Sequence, residues 1–228
     1  MTMKIDKNIK HVIFDVYGTL ISTGAGSVDA TRKIFENLNV SDPPELIYAE
    51  WKKKHKMNMQ SLEEFACERD IFVMDLKQLF LEYGIDNSAE VCVKPMLNSL
   101  YNRSLFDDTE ETIKYLLGKY NVAIGSTTDD EPLLSNMKGT ILEEIPNVFT
   151  SENLMVYKPQ KEFYQKILQA TGWKAEECLF VGDSIDDDVN GPLKAGMNAC
   201  LVDRKGRDVI LDKNVLKICE LRELCDIL

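Results

Sequence analysis

The sequence predicts an α/β protein in which a doubly wound parallel sheet is interrupted early by an all-helical insert. The first apolar run, Val12 to Phe14, ends on Asp15 and is followed at once by a glycine turn. From about Phe106 onward, short apolar runs alternate with helical patterns, an arrangement typical of a parallel sheet covered on both faces. The expected division is a core of residues 1–21 and 101–228 and a helical domain of residues 22–100.

The first strand makes Asp15 a candidate catalytic residue. In open α/β sheets, ligands bind at the carboxyl ends of the strands. The run HVIFDVYGTL places a carboxylate at such an end, directly before a tight turn. An aspartate that only begins a turn is the simpler interpretation of this segment taken alone. The rest of the chain favours the catalytic interpretation, with Asp15 as the nucleophile.

Helical periodicity dominates the insert. Apolar residues recur three and four positions apart, most clearly from Phe72 to Tyr83 before Gly84, a residue typical of a helix end. The segment WKKKHK, residues 51–56, carries a run of positive charge. Such a run is commonly a solvated helix face. Because Lys52 and Lys56 lie one turn apart, the alternative is a positive rim over the active site.

The composition limits the classes of partner the protein can bind and the residue types that can catalyse a reaction. The 228 residues carry a formal net charge of −11 and are 44% hydrophobic, which predicts a globular protein and disfavours nucleic acid and anionic membranes as partners. The sequence contains no apolar stretch of membrane-spanning length and no export signal, so we expect a cytoplasmic protein. The six cysteines include no Cys-x-x-Cys pair, and the sequence has only two histidines. We therefore expect carboxylates to carry any catalysis. The oligomeric state is not predicted.

Polar residues mark helix starts and strand ends in the second region. Asp108 with Glu111 resembles a capping box that begins a helix. Ser126 and Thr127 directly follow the apolar run VAIG, where their hydroxyls suit an oxyanion, although a helix N-cap is the alternative. Lys158 precedes an amphipathic helix. Because a cation is unfavourable near a helix N-terminus, Lys158 is a functional candidate.

Acidic residues cluster after a further predicted strand. The segment LFVGDSIDDD places Asp183 at the end of an apolar run, with Asp188 close behind it. Like charges in such a cluster repel one another unless a cation is bound or some carboxyl groups stay protonated. Because oxygen ligands from Asp15 and Asp183 suit a hard divalent ion, the sequence predicts a Mg²⁺ site.

In their order along the chain, these segments resemble the haloacid dehalogenase-like (HAD) hydrolase superfamily. The matching segments are DVYGTL, the serine after a strand, the lysine before a proline, and GDSIDDD. The resemblance covers nearly the whole chain and implies a Rossmann-like core with a helical cap inserted after the first motif. It also implies that Asp15 forms a covalent acyl-type intermediate, while Ser126 and Lys158 hold the transferred group.

The same resemblance suggests the remaining site residues. Mg²⁺ would be held by Asp15, Asp183 and Asp188 together with the backbone carbonyl of Tyr17. The expected partner is a small anionic substrate, over which the cap would close to exclude bulk water and select the substrate. The expected substrate-binding residues are Gly18, Thr19, Thr127 and Lys52.

Tyr17 departs from the family's phosphatases, which carry a second aspartate at this position as general acid and base. Tyrosine, with an unperturbed pKa of about 10, is a poor general base at neutral pH. Here the chain is similar to the family's 2-haloacid dehalogenases, whose halide leaving group needs no proton. Those dehalogenases, however, use arginine, asparagine and a non-acidic residue where the chain has Lys52, Thr127 and Asp183.

Charge counting favours metal-dependent phosphoryl transfer. Asp15, Asp183 and Asp188 bring about three negative charges against Lys158 alone, so a dianionic phosphate needs a divalent ion to offset the excess. We therefore expect a Mg²⁺-dependent phosphatase of a small phosphorylated metabolite. Two alternatives remain: a 2-haloacid dehalogenase, and a catalytically weakened scaffold with a binding role.

Overall fold

The central feature of the molecule is a six-stranded parallel sheet, seen in a computed structural model that describes residues 8–38, 40–212 and 215–228. The strand order is β3-β2-β1-β4-β5-β6, and each neighbouring pair is parallel. The strands are β1 (His11–Phe14), β2 (Asn121–Ser126), β3 (Asn147–Thr150), β4 (Cys178–Gly182), β5 (Asn198–Val202) and β6 (Leu216–Ile218). The predicted doubly wound α/β fold is confirmed.

Helices connect the strands and fill the insert. They are α1 (Gly26–Phe35), α2 (Pro44–Ser61), α3 (Glu68–Tyr83), α4 (Ala89–Cys92), α5 (Lys94–Asn98), α6 (Thr109–Leu117), α7 (Asp130–Met137), α8 (Ser151–Leu154), α9 (Lys161–Thr171), α10 (Gly191–Lys194) and α11 (Leu224–Ile227). Short 3₁₀ turns occur at Ile141–Glu144, Ala175–Glu177 and Leu221–Glu223, and a π-helical turn at Ile185–Asn190. No helix in the described ranges is both long and apolar enough to cross a membrane.

The position of β1 determines where the site forms. All four of its residues are buried. β2 and β4 pair with it on either side, and the register sets Phe14 beside Ile124 and Val181. Where the strand order reverses in this way, the loops that follow the neighbouring strands leave a crevice at the carboxyl edge of the sheet. Residues that directly follow β1, β2 and β4 therefore meet at one edge.

The described chain forms two compact units. The first, which contains the sheet, comprises residues 8–22, 104–127 and 137–228, and the second comprises residues 23–103 and 128–136. The predicted boundaries put residue 22 in the helical domain, whereas the structure assigns it to the first unit. They also put residues 101–103 and 128–136 in the core. In the structure they belong to the helical unit, where the Asp129 carboxylate accepts hydrogen bonds from the backbone N–H groups of Glu68 (2.7 Å) and Arg69 (3.0 Å) at the start of α3.

In the helical unit, α2 and α3 pack around a buried carboxylate. Asp75 has no exposed surface and accepts hydrogen bonds from Trp51 Nε1 at 3.2 Å and Asn58 Nδ2 at 2.6 Å. His55 Nδ1 lies 2.6 Å from the same carboxylate, and His55 Nε2 lies 3.4 Å from Glu68 Oε1. Burial alone would lower the pKa of His55, but its two carboxylate neighbours raise it to about 9. The imidazole is therefore charged at neutral pH.

Two local features differ from the sequence pattern. Asp108 makes no side-chain cap bond at the start of α6, so the predicted capping box is wrong, and its carboxylate pairs with Arg204 instead. The short strand β6 was not indicated by the sequence, because Lys217 interrupts a run of only three residues. The predicted end of α3 is correct: Gly84 takes the left-handed conformation, with φ of 64°.

Candidate active site

Side chains from three distant segments meet at the carboxyl edge of the sheet. Lys158, in the loop before α9, donates hydrogen bonds from Nζ to Asp15 Oδ1 and to Asp188 Oδ1, both at 2.8 Å. It also donates to the backbone carbonyl of Gly125 in β2 at 3.2 Å. All three charged side chains are buried. Although burial disfavours its charge, the two carboxylates raise the pKa of Lys158, which is therefore protonated.

Both oxygens of the Asp15 carboxylate have polar neighbours. Oδ1 faces Lys158 and lies 3.5 Å from the Ser126 hydroxyl, at the long limit of a hydrogen bond. Oδ2 accepts a hydrogen bond from the Thr19 hydroxyl at 3.2 Å. At the end of β2, the Thr127 hydroxyl is buried and has no hydrogen-bond partner within the described ranges. An unpaired buried hydroxyl is available to the oxygen atoms of a ligand.

Asp183 adds a third carboxylate to the site. Asp15, Asp183 and Asp188 each place a carboxylate oxygen within 4.8 Å of the others. Burial and the charge of Asp15 raise the pKa of Asp183 to about 6. Burial also raises the pKa of Asp188, against the opposing effect of Lys158. An all-oxygen donor set with surplus negative charge fits a hard divalent cation, so these three side chains are able to hold a metal ion.

Two glycines allow the carboxylates to approach the backbone. Gly18 has φ of +96°, and a Cβ there would lie 2.7 Å from Asp183 Oδ2. A Cβ on Gly182 would lie 2.3 Å from the Asp188 carboxylate. Side chains at either position would displace a carboxylate, because real Cβ contacts are never this short. The glycines of DVYGTL and VGD therefore shape the acidic cluster.

The structure locates two further predicted site residues, Tyr17 and Lys52, but does not test their predicted roles. Tyr17 is half-buried in the turn after β1 and forms an isolated bridge with Ile21. Its carbonyl as a metal ligand stays a prediction. Lys52 is exposed on α2 in the helical unit, and its contact with substrate also stays a prediction.

Three groups at the site had no clear signal in the sequence. The Gly125 carbonyl binds Lys158 through backbone, which no side-chain pattern reveals. The Tyr164 hydroxyl donates to the Asp187 carbonyl in the π-helical turn, and a tyrosine on the buried face of an amphipathic helix is the only hint of it. Arg207 donates from Nη2 to the Asp183 carbonyl at 2.9 Å; this contact joins two loops that follow different strands.

Comparison with known proteins settles the family. A family model described as haloacid dehalogenase-like hydrolase matches residues 9–196. This chain belongs to that family. A Bacillus subtilis HAD-hydrolase, YfnB, is 24% identical over 203 residues, which cover 85% of this chain and 84% of YfnB. The (S)-2-haloacid dehalogenase 4A of Burkholderia cepacia is 24% identical over 206 residues, covering 87% of this HAD hydrolase and 85% of the dehalogenase.

A phosphatase is also among the relatives of this HAD hydrolase. The glyceraldehyde 3-phosphate phosphatase of Methanocaldococcus jannaschii is 36% identical over 83 residues, or 36% of each chain. The solved structure of YfnB bound to magnesium shares the fold, with a TM-score of 0.78, 20% identity, and coverage of 97% of this chain and 99% of that one. The relatives thus include both a dehalogenase and a phosphatase.

Proposed function

We propose that this HAD hydrolase is a Mg²⁺-dependent phosphatase of a small phosphorylated metabolite, with Asp15 as the nucleophile. The observation that carries the proposal is the cluster of three carboxylates, Asp15, Asp183 and Asp188, with oxygens within 4.8 Å of one another. A buried cluster of this kind is stable only if a cation binds or protons are retained.

The positive charge of Lys158 is already paired with two carboxylates of the cluster. Its ammonium group binds Asp15, Asp188 and the Gly125 carbonyl. A dianionic phosphate that approached Asp15 would therefore meet net negative charge. When bound, a divalent ion would offset that charge and polarise the phosphoryl oxygens. Asp15, Asp183 and Asp188 are the side chains that would hold it.

The side chains around Asp15 suit attack on phosphorus. An Asp15 oxygen forms a bond to phosphorus while the bond to the leaving oxygen breaks, and the electron pair departs with the leaving group. Lys158 holds the Asp15 carboxylate in place through its hydrogen bond to Oδ1. In this mechanism the Ser126 and Thr127 hydroxyls donate hydrogen bonds to the transferred phosphoryl oxygens. A water oxygen then forms a bond to phosphorus while the bond between phosphorus and the Asp15 oxygen breaks, so that inorganic phosphate leaves, the Asp15 carboxylate is regenerated, and the water proton passes to phosphate or solvent.

A 2-haloacid dehalogenase is the second candidate, and Tyr17 favours it. A tyrosine at this position supplies no carboxyl group to protonate a leaving group, and a halide needs no proton. The similarity to dehalogenase 4A over most of both chains supports this candidate. The carboxylate of Asp183 favours the phosphatase, because dehalogenation of a carboxylate substrate gains nothing from additional negative charge at the site.

One set of assays separates these candidates. The purified protein is tested against alkyl and aryl phosphates and 2-chloropropionate, with Mg²⁺ and with a chelator. We expect phosphate release that the chelator abolishes, that Asp15→Asn eliminates, and that the exposed control Asp226→Asn leaves unchanged. Chelator-insensitive chloride release would instead identify a dehalogenase. Metal binding without turnover of any substrate would indicate a binding scaffold.

A further inference from the structure

The Arg204 guanidinium joins distant segments of the core beneath the turn that follows Asp15. Its Nη1 and Nη2 donate to the two Asp108 carboxylate oxygens at 3.0 and 2.8 Å. Nη2 also donates to the backbone carbonyl of Thr19 at 2.9 Å. The guanidinium lies over the Phe106 ring, 3.9 Å from its centroid. Only 19% of the Arg204 side chain is exposed.

Hydrogen bonds from two segments hold the Asp108 carboxylate beside Arg204. Besides Arg204, its Oδ2 accepts the backbone N–H of Leu221 at 2.8 Å. Burial alone would raise the pKa of Asp108, but the hydrogen bonds from Arg204 and Leu221 lower it. The carboxylate is therefore ionised and fixes the plane of the guanidinium, because a bidentate pair constrains orientation as well as distance.

Thr19 links Arg204 to the proposed nucleophile, Asp15, by two hydrogen bonds. Thr19 accepts from Arg204 at its carbonyl and donates from its hydroxyl to Asp15 Oδ2 at 3.2 Å. The surrounding turn is tight: the N–H groups of Leu20 and Ile21 both donate to the Val16 carbonyl, at 2.8 and 2.9 Å. A shift of the Thr19 backbone would therefore move the hydroxyl that orients the Asp15 carboxylate.

We propose that Arg204, anchored by Asp108, is a positioning residue that holds Thr19 so that Asp15 keeps the orientation needed for attack. The proposal rests on the proposed function in one respect, the role of Asp15 as nucleophile. Arg204 itself touches neither Asp15 nor the acidic cluster in the bonds described above. Its effect is on the geometry of the attack, so it acts on kcat rather than on substrate affinity.

Lysine at this position cannot reproduce the arrangement. An ammonium group offers a point charge, whereas the contacts to Asp108 and the Thr19 carbonyl use the planar fork of two Nη atoms. We expect Arg204→Lys to fold and to lower kcat by about 10- to 100-fold, with KM changed by less than about twofold, since a displacement of about 1 Å costs on this scale.

Chemical rescue separates positioning from general destabilisation. Arg204→Ala leaves space for a guanidinium ion, and added millimolar guanidinium should restore a large part of kcat in this variant but not in Arg204→Lys. The matched control is Glu177→Gln, which removes an ion pair with Lys10 before β1 and β4, at the amino ends of the strands. The Lys10 side chain is 56% exposed and the Glu177 side chain 12% exposed. It should leave kcat unchanged. Wild-type kcat in Arg204→Lys, or an equal loss of kcat in the control, would overturn the proposal.

Amide hydrogen exchange tests the same claim without an activity. In Arg204→Lys, the Leu20 and Ile21 amides should exchange about tenfold faster than in the wild type, because loss of a charged hydrogen bond at Thr19 loosens the turn. Glu177→Gln should show no such change. Unaltered exchange at these amides would overturn the positioning role. If the wild type has no turnover but the exchange result is as expected, the proposed function fails and the structural link to Thr19 stands.

Discussion

His55 provides a pH-dependent test of the network between α2 and α3. The substitution His55→Gln keeps a side chain able to form hydrogen bonds but removes the ability to gain a proton. In the folded protein Asp75 and Glu68 raise the pKa of His55 to about 9 from its usual 6.5. Because one pKa unit corresponds to about 1.4 kcal/mol, the charged imidazole contributes on the order of 3 kcal/mol of stability.

The sign of the effect follows from the direction of the shift. Since the folded pKa lies above the unfolded value, the stabilisation is fully present below about pH 6.5 and is lost as the pH rises through about 9. The difference in unfolding free energy between the wild type and His55→Gln should therefore shrink by about 3 kcal/mol between about pH 6 and about pH 10.

Urea unfolding followed by tryptophan fluorescence measures this difference. Trp51 donates to Asp75 in the helical unit, whereas Trp173 stacks on His11 in the core. A Trp173→Phe background therefore reports the helical unit alone. His11→Gln is the control in the core, and its unfolding is followed by Trp173 in the otherwise wild-type chain. Burial lowers the pKa of His11, so the difference in unfolding free energy between this variant and the wild type should not shrink as the pH rises. A His55→Gln difference that is independent of pH would refute the reasoning.

Three further predictions concern the core site. Lys158→Met should abolish turnover and cost about 3 kcal/mol of stability in urea, because Asp15 and Asp188 lose their buried cation; unchanged stability would contradict the buried ion pair. Gly18→Ala should lower Tm and weaken Mg²⁺ binding in calorimetry, since its Cβ would lie 2.7 Å from Asp183 Oδ2; unaltered affinity would argue against Asp183 as a ligand. Aryl phosphates should turn over faster than matched alkyl phosphates in steady-state assays, because no carboxyl group occupies position 17, and equal rates would count against this mechanism.

The sheet and the meeting of the acidic residues were predictable because their signals are local. An apolar run that ends on a polar residue marks the carboxyl end of a strand, and parallel strands place all such ends at one edge. Asp15 and Asp183 could therefore be paired from the sequence although they lie far apart in it. Lys158 could be predicted as a functional residue because a positive charge is unfavourable near the N-terminus of a helix.

The features that were missed depend on distant partners. Asp108 has the sequence of a helix cap, but the Arg204 guanidinium and the Leu221 N–H bind its carboxylate in competition with the local N–H groups. Asp129 follows a strand of the core, yet it caps α3 in the helical unit. These partners lie far along the sequence from Asp108 and Asp129, outside the same helical turn or strand pair. The periodicity of the sequence therefore does not reveal the contacts.

Manganese binding, with Mn²⁺ as a paramagnetic substitute for Mg²⁺, tests the central claim most directly. Electron paramagnetic resonance counts the ions bound per chain in the wild type, in Asp183→Asn and in the exposed control Asp226→Asn. We expect one tightly bound ion in the wild type and in the control, and its loss in Asp183→Asn, since Asp15 and Asp188 alone already share Lys158. Wild-type protein that binds no ion, or binding that Asp183→Asn leaves unchanged, would contradict a shared metal site.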